Sequence, residues 1–352
     1  MPNRDSTSTN SNQPVSSIQA SSISTTKGGP TTFLDSEYIQ ARIVLINSAI
    51  LDYLKKQKGE PEILYHAAHH LIITGGKRFR SLVTLLSCEA VGGSIAKVLP
   101  ITVAAELLQT ASLIHDDIID QDDLRRGVPT VHKKYGHDIA LLAGDFLIAQ
   151  AFKIIGTHGS PELVANIGAG GVRMCEGEVL DLYITPEKEA AYTTEEYLKM
   201  IERKTAVFLE EAARTGAIVG EATKKEREVL AQFGSCIGFS FQLRDDVLDI
   251  QATQQKLQKS TFSDFRMKRG NYPLLYTLEN CSAADRKTCI DAINKHQWNT
   301  ILSLIDQCKA YEHTMELAQD YADRAKALLQ EYNFLNHSAL EQLADFTVHR
   351  EY

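Results

Sequence analysis

From Leu34 onward, apolar residues recur three and four positions apart. Ile43, Leu45, Ile46, Ile50, Leu51 and Leu54 form one such set. That spacing puts side chains on one face of an α-helix. The texture continues to the C-terminus, punctuated by Gly75-Gly76, Gly92-Gly93, Gly127 with Pro129, and Gly156 to Pro161. Glycine and proline mark turns between periodic segments. Strand-like alternation is nearly absent. The pattern predicts an all-α fold of about ten helices, a large single-domain bundle over residues 34–352 with no internal repeat. A helical core of that size is large for one chain, so pairing into a dimer is expected to bury more of it. Residues 1–33 differ. They are dominated by Ser, Thr and Asn, bury too little apolar surface to offset ordering entropy, and are expected to form a disordered tail.

Composition narrows the classes. The 352 residues are 43% hydrophobic with 21 Gly and 9 Pro, which excludes a disordered or fibrous chain. The net charge of −8 argues against a general nucleic-acid binder. No uninterrupted apolar run reaches the ~18–20 residues of a membrane span, so no transmembrane segment is expected. Cys88, Cys175, Cys236, Cys281, Cys289 and Cys308 are scattered without a C-x-x-C pair. They read as thiols in a reducing compartment, and with no signal-peptide pattern the expected location is cytoplasmic.

The chemistry lies in two acid clusters. One reads His115-Asp116-Asp117-Ile118-Ile119-Asp120 at the end of an apolar helical stretch. Asp116 and Asp120 are four apart and share a helix face. They repel each other there and sit at the negative end of the helix dipole, and a cation offsets both costs. The second reads Arg244-Asp245-Asp246-Val247-Leu248-Asp249, on another apolar helix beginning near Leu230. Two all-oxygen clusters suit Mg²⁺, which binds few carboxylates and completes its shell with water and phosphate oxygens. They suit zinc poorly, having no Cys or His partners. A solvated acidic face explains one such motif more readily than two set among Leu, Ile and Phe.

Cations accompany the acids: Lys77, Arg78 and Arg80 in Gly75-Gly76-Lys77-Arg78-Phe79-Arg80, then Arg125, Arg126, Lys204, Lys259, Lys268 and Arg269. Arg gives forked contacts to phosphate and Lys a point charge. Metal sites beside cations imply a polyanionic substrate such as a diphosphate. The GGKRFR segment is not a P-loop, since no G-x-x-x-x-G-K-[ST] is present.

These motifs, with LLAGDFLIAQAF, EGEVLDL, ERKTAVF and the ending LADFTVHREY, occur from about Tyr38 to the C-terminus. In order and spacing the chain resembles the trans-isoprenyl diphosphate synthases (polyprenyl synthetases). The resemblance implies an all-α fold of the isoprenoid synthase type with a central active-site cavity, and a homodimer. It implies Mg²⁺-dependent condensation of isopentenyl diphosphate with an allylic diphosphate, with three ions and with Mn²⁺ as a substitute. The products serve as quinone or lipid side chains, and peripheral membrane contact would release them. Asp116, Asp120 and Asp245 would bind metal, with Asp117, Asp246 and Asp249 holding bound waters or orienting the ligands. Arg125, Lys204 and Lys259 would contact the allylic diphosphate. Lys77, Arg80, Arg126 and Gln109 would hold isopentenyl diphosphate, and Thr205 and Gln242 would steady the allylic cation and the departing diphosphate.

One segment departs from the family's D-L-x-x-G-K-x-T-L-P. Here it reads Asp264-Phe265-Arg266-Met267-Lys268-Arg269-Gly270-Asn271-Tyr272-Pro273, so Arg269 keeps the charge while the Gly position holds Lys268. The resemblance also implies that product length depends on side chains one turn before Asp116, bulky in short-chain synthases and small in long-chain ones. Ala111 and Ser112 are small, with Leu108 a turn deeper, which predicts an open gate and products of roughly C30 to C50; a geranylgeranyl (C20) synthase is the alternative. A class I terpene cyclase would replace the second acid motif. A non-catalytic subunit of a heteromeric synthase would lose acids or cations that this chain keeps.

Overall fold

The computed structural model describes residues 33–184, 193–258 and 270–350, with the backbone alone over 252–258. A 3₁₀ turn leads into α1 (Glu37–Lys56), α2 (Glu62–His70), α3 (Phe79–Ala90) and α4 (Ile95–Asp120). A small hairpin, β1 (Leu124–Arg125) and β2 (Val128–Pro129), precedes α5 (Val131–Tyr135), α6 (His137–His158), α7 (Pro161–Tyr183) and α8 (Thr194–Ile201). A π-helical turn, Glu202–Ala206, runs into α9 (Val207–Val219) and then α10 (Lys224–Gln258). The rest is α11 (Tyr272–Asn280), α12 (Ala283–Asn294), α13 (Trp298–Gln307), α14 (Ala310–Leu329) and α15 (His337–His349).

The all-α expectation holds, with two corrections of detail. Fifteen α-helices occur among the described residues rather than about ten. The surplus is short: α5 has 5 residues, α8 has 8, and α2 and α11 have 9 each. So few turns leave no readable apolar period. The helix of the second acid cluster begins at Lys224, ahead of Leu230, because its first turns are polar.

Helix α1 shows the patterning at work. Ser36 caps it by accepting from the Ile39 amide, and Ile39, Ile46, Ile50 and Leu54 are buried, while Leu45 of the predicted set points outward. The main core gathers side chains of α1 to α4, α6, α9 and α15. A second cluster joins Ile250 to Leu274, Leu278, Trp298 and Ile301 across α10, α11 and α13. A third sets Tyr197, Met200, Leu243, Tyr272 and Leu275 together beneath the second acid motif.

The expectation that no stretch is long and apolar enough to span a membrane needs correcting. Helices α4 and α6 both pass that test by length and composition. Single polar residues such as Gln109 and Asp145 interrupt the apolar runs without lowering their average much. Helix α4 packs into the main core. Only 39% of the apolar window of α6 is buried, and Leu141, Leu142 and Phe152 face outward.

Candidate active site

Helix α4 presents the first acid cluster at its C-terminal end. Leu108, Ser112, Asp116 and Asp120 follow at four-residue steps, and all four are half-buried. They form one strip running from the acids down the helix. Asp117 lies off that strip with 0% exposure, and the Arg125 guanidinium Nε donates to its Oδ1. Its other oxygen, Oδ2, is buried without a hydrogen-bond partner. Burial pushes the Asp116 carboxyl up to about 6; Glu178 and Asp120 add to the rise, and Lys204 and Arg125 oppose it.

The hairpin after α4 places two of the predicted arginines. Its tip is Arg126-Gly127, with φ of 54° and 77°. A two-residue loop with both central residues left-handed is the turn that matches strand twist, and Gly127 adopts that φ without strain. Arg125 reaches back to Asp117 and Asp122. Arg126 donates to the carbonyls of Leu71 and Gly75, so it grips the glycine turn before α3.

In that turn, Lys77 and Arg80 are half-buried and Arg78 is buried. Arg78 donates to Glu106 at 2.8 Å, to Asn47 at 2.9 Å and to the Ile72 carbonyl at 3.1 Å. Arg78 is therefore part of the scaffold, and GGKRFR offers two site cations instead of the three the sequence suggested. Burial pulls the Arg80 guanidinium down to about 10, opposed by Glu106, Asp245 and Asp116. Its Nε is buried with no partner, and its guanidinium lies 4.8 Å over the Phe208 ring. Arg80 thus sits in the field of both acid clusters with a donor left over for a ligand.

Helix α10 carries the second cluster. Asp246 is 3% exposed and accepts from the Tyr197 hydroxyl at 2.8 Å, the Gln242 amide at 3.0 Å and the Tyr272 backbone at 3.1 Å. Burial pushes its carboxyl up to about 7 against those three donors. The Thr205 hydroxyl donates to Gln242 Oε1 at 2.9 Å, which completes a chain from the π-helical turn to Asp246. Asp245 is half-buried and pairs with Arg350 at 2.6 Å. Burial raises its carboxyl too, while Arg350, Lys77 and Arg80 pull the other way. Asp249 is exposed on the same helix.

Lys204 stands on the π-helical turn, a break in helix geometry that often marks functional sites. Its ammonium meets Glu178 at 2.7 Å and Asp181 at 2.6 Å. Burial lowers the lysine's proton affinity, but Asp181 and Glu178 outweigh it and hold the pKa above the ordinary value. Gly177 permits this approach, since a Cβ there would lie 2.4 Å from the Lys204 backbone nitrogen.

The structure thus brings together Lys77, Arg80, Asp116, Asp120, Arg125, Arg126, Lys204, Thr205, Gln242 and Asp245. Gln109 is half-buried on α4, where its carbonyl accepts from Ser112. Lys259 and Arg269 lie outside the described residues. Of the three residues expected at the gate, Ala111 is 1% exposed inside the main core, and the strip presents Ser112 and Leu108. Sequence reasoning assigned no role to Glu178, Asp181, Tyr197, Tyr272 or Arg350. Glu178 and Asp181 lie three apart on α7 within the EGEVLDL motif, so the face-sharing arithmetic used for the aspartates applies to them as well.

The donor set fits Mg²⁺. Among the described residues no three or more His, Cys, Asp or Glu side chains converge into a closed cage. A hard ion that takes one or two carboxylates and fills its shell with water and phosphate needs none. Burial raises the carboxyls at Asp116 and Asp245, and a bound cation would favour their charged forms.

The chain is similar to known proteins over most of its length. The polyprenyl synthetase family model matches residues 61–308. The chain is 36% identical over 300 residues to a short chain isoprenyl diphosphate synthase of Methanothermobacter thermautotrophicus, covering 83% of this chain and 92% of that protein. It is also 36% identical to a geranylgeranyl diphosphate synthase of Methanosarcina mazei, covering 83% and 91%. The crystal structure of geranylgeranyl pyrophosphate synthetase from Pyrococcus horikoshii superposes with a TM-score of 0.80 at 34% identity, covering 90% of this chain and all of that one. These names do not support the expected C30–C50 range. Small side chains at one turn of α4 leave the entrance open and say nothing about where the strip stops below. The match to most of the chain, over two acid helices and their cations, shows that the protein belongs to the polyprenyl synthetase family and is a prenyltransferase of the trans-isoprenyl diphosphate synthase type.

Proposed function

We propose that the chain condenses isopentenyl diphosphate with an allylic diphosphate in a Mg²⁺-dependent reaction and stops at C20, as geranylgeranyl diphosphate. The observation that carries the reading is Arg80: a half-buried arginine whose Nε is buried and unpartnered, in the field of both Asp116 and Asp245. Such a group serves an anionic ligand lying between two acid clusters. The product length rests on relatives named for short-chain and geranylgeranyl products.

Asp116 and Asp120 on one side and Asp245 on the other would hold Mg²⁺. When bound, the ions supply charge stabilisation for the departing diphosphate. Lys204 and Arg125 add fixed positive charge where negative charge grows as the allylic C–O bond ionises, and the sequence motif assigns Lys259 to the same diphosphate. Lys77, Arg80, Arg126 and Gln109 orient isopentenyl diphosphate so that its double bond meets the allylic cation. Thr205 and Gln242, held by the chain to Asp246, border the cation. The released diphosphate is the base for the proton lost after condensation. The apolar helices beneath the charged rim keep water from quenching the cation.

Residues 34–352 form the catalytic unit, and two copies pair through α6 and α7. Leu141, Leu142 and Phe152 on α6, with Val172, Val179 and Leu182 on α7, form an exposed apolar face of the kind dimers cover. The six free cysteines fit a reducing, cytoplasmic setting. The purified chain alone, given labelled isopentenyl diphosphate, an allylic primer and Mg²⁺, is expected to turn over. Absence of product in that assay refutes the reading.

A further inference from the structure

We infer that His70 is the positioning residue for the arginine hairpin, and so for the grip on isopentenyl diphosphate; the inference rests on the site reading proposed above. His70 ends α2, one residue before Leu71, and is 7% exposed. Its Nε2 lies 2.8 Å from the carbonyl oxygen of Pro129, and its Nδ1 lies 3.3 Å from the Lys134 ammonium. A carbonyl can only accept and an ammonium can only donate. The partners therefore fix the ring: neutral, with Nε2–H donating to Pro129 and Nδ1 accepting from Lys134. Tyr135 closes the pocket, edge-on to the imidazole at 5.7 Å and beneath the Lys134 ammonium at 5.1 Å.

Pro129 is the β2 residue that faces Leu124 across the hairpin. The bond from His70 thus ties the hairpin's returning strand to the end of α2. Two further ties run through the arginines themselves. Arg125 is bound to Asp117, which fixes the outgoing strand to α4. Arg126 is bound to the backbone carbonyls of Leu71 and Gly75. The last tie runs through Nη1 alone, so a diphosphate that takes the Nη1 donors of Arg126 competes with those carbonyls and loosens it. Gly76 leaves the guanidinium close cover, since a Cβ there would lie 3.1 Å from it. With Arg126 turned to ligand, His70 is what still holds the hairpin's second strand against α2. Arg125 keeps its own anchor, so loss of His70 falls on the isopentenyl side of the site.

The test is steady-state kinetics on the full chain with both substrates varied. His70→Phe keeps a planar ring and removes the donor. It is expected to raise KM for isopentenyl diphosphate about tenfold, with the allylic KM and kcat within twofold of wild type. His70→Gln keeps a side-chain N–H for Pro129 and an oxygen for Lys134, and is expected to restore the isopentenyl KM to within threefold. Lys134→Met leaves the imidazole untouched but removes its tautomer lock, and is expected to raise the same KM by a smaller factor at unchanged Tm. Arg126→Ala reads the underlying site independently. If Arg126→Ala raises the isopentenyl KM while His70→Phe and Lys134→Met leave it unchanged, the positioning role is wrong. The same holds if His70→Gln folds yet fails like His70→Phe. If Arg126→Ala itself leaves that KM unchanged, the site reading beneath the inference fails first.

Discussion

The two acid clusters share the spelling D-D-x-x-D and split their first two aspartates the same way. In each, the first aspartate is half-buried on the site face, and the second is sealed inside, Asp117 at 0% and Asp246 at 3% exposure. The clusters differ in how the sealed carboxylate is held. Asp117 depends on Arg125, eight residues ahead on a hairpin at the surface, and one of its oxygens has no partner. Asp246 accepts from α8, from its own helix and from the first residue of α11, so it locks three elements together. They differ again one turn upstream. Ser112 precedes Asp116 by four residues and leaves the strip open, whereas Phe241 precedes Asp245 by four and fills its place, stacked on Phe79 at 5.2 Å with Arg350 above it at 3.6 Å. One motif therefore builds an entrance and the other builds a wall.

The largest effects should fall on the site-facing aspartates. Asp116→Ala and Asp245→Ala are each expected to lower turnover by about 10³-fold or more, the scale for losing a stabiliser of developing charge. Thermal melts of metal-free Asp116→Ala should stay near wild type, whereas Asp245→Ala also leaves the buried Arg350 without its carboxylate and should melt lower. A near-normal rate in either variant removes the metal assignment for that cluster.

The sealed aspartates should show the opposite balance. Asp246→Ala leaves the Tyr197 hydroxyl and the Tyr272 N–H buried without an acceptor, and is expected to cost about 2–4 kcal/mol in denaturant unfolding. Asp117→Ala releases an arginine that is 27% exposed and can rehydrate, so about 1–2 kcal/mol is expected. Equal losses in the two variants would erase the contrast drawn between the clusters.

Acidity sharpens it further. Asp246 has its pKa raised to about 7 and Asp116 to about 6, chiefly by burial. Between about pH 4 and pH 7 the folded state keeps protons that the unfolded chain has released. Metal-free stability should therefore be highest below about pH 4 as far as these groups are concerned, and fall as pH rises through 6 and 7. Asp246→Asn removes the larger of the two titrations and should flatten that slope. Urea midpoints measured from pH 4 to pH 8 in EDTA check it, and an unchanged slope would count against the account.

The smallest expected change is in product length. Ser112→Phe gives the first cluster the bulk that Phe241 gives the second. It should shorten the main product from C20 to C15 at similar stability, as read by chromatography. Ala111→Phe is a poorer probe, because Ala111 is packed in the core and a large ring there would strain it.

The site's charges were readable from sequence because helix spacing turns a string into a face. Asp116 with Asp120, and Asp245 with Asp249, needed only the four-residue step. What sequence hid was non-local. Nothing local distinguishes Arg78, committed to Glu106, from Arg80, which is left with an unpartnered donor. Arg350 meets Asp245 from the far end of the chain, and His70 reaches Pro129 across 59 positions. The gate is a related case: sequence names Ala111 and Ser112 together, both small, and only packing shows that Ser112 shares the strip with Asp116 while Ala111 is buried in the core.

Product analysis of the purified chain tests the central claim most directly. With labelled isopentenyl diphosphate, allylic primers of different length and Mg²⁺, geranylgeranyl diphosphate should dominate, and EDTA should abolish it. A dominant C30–C50 product would contradict the proposed length. No product with any primer would contradict the site itself.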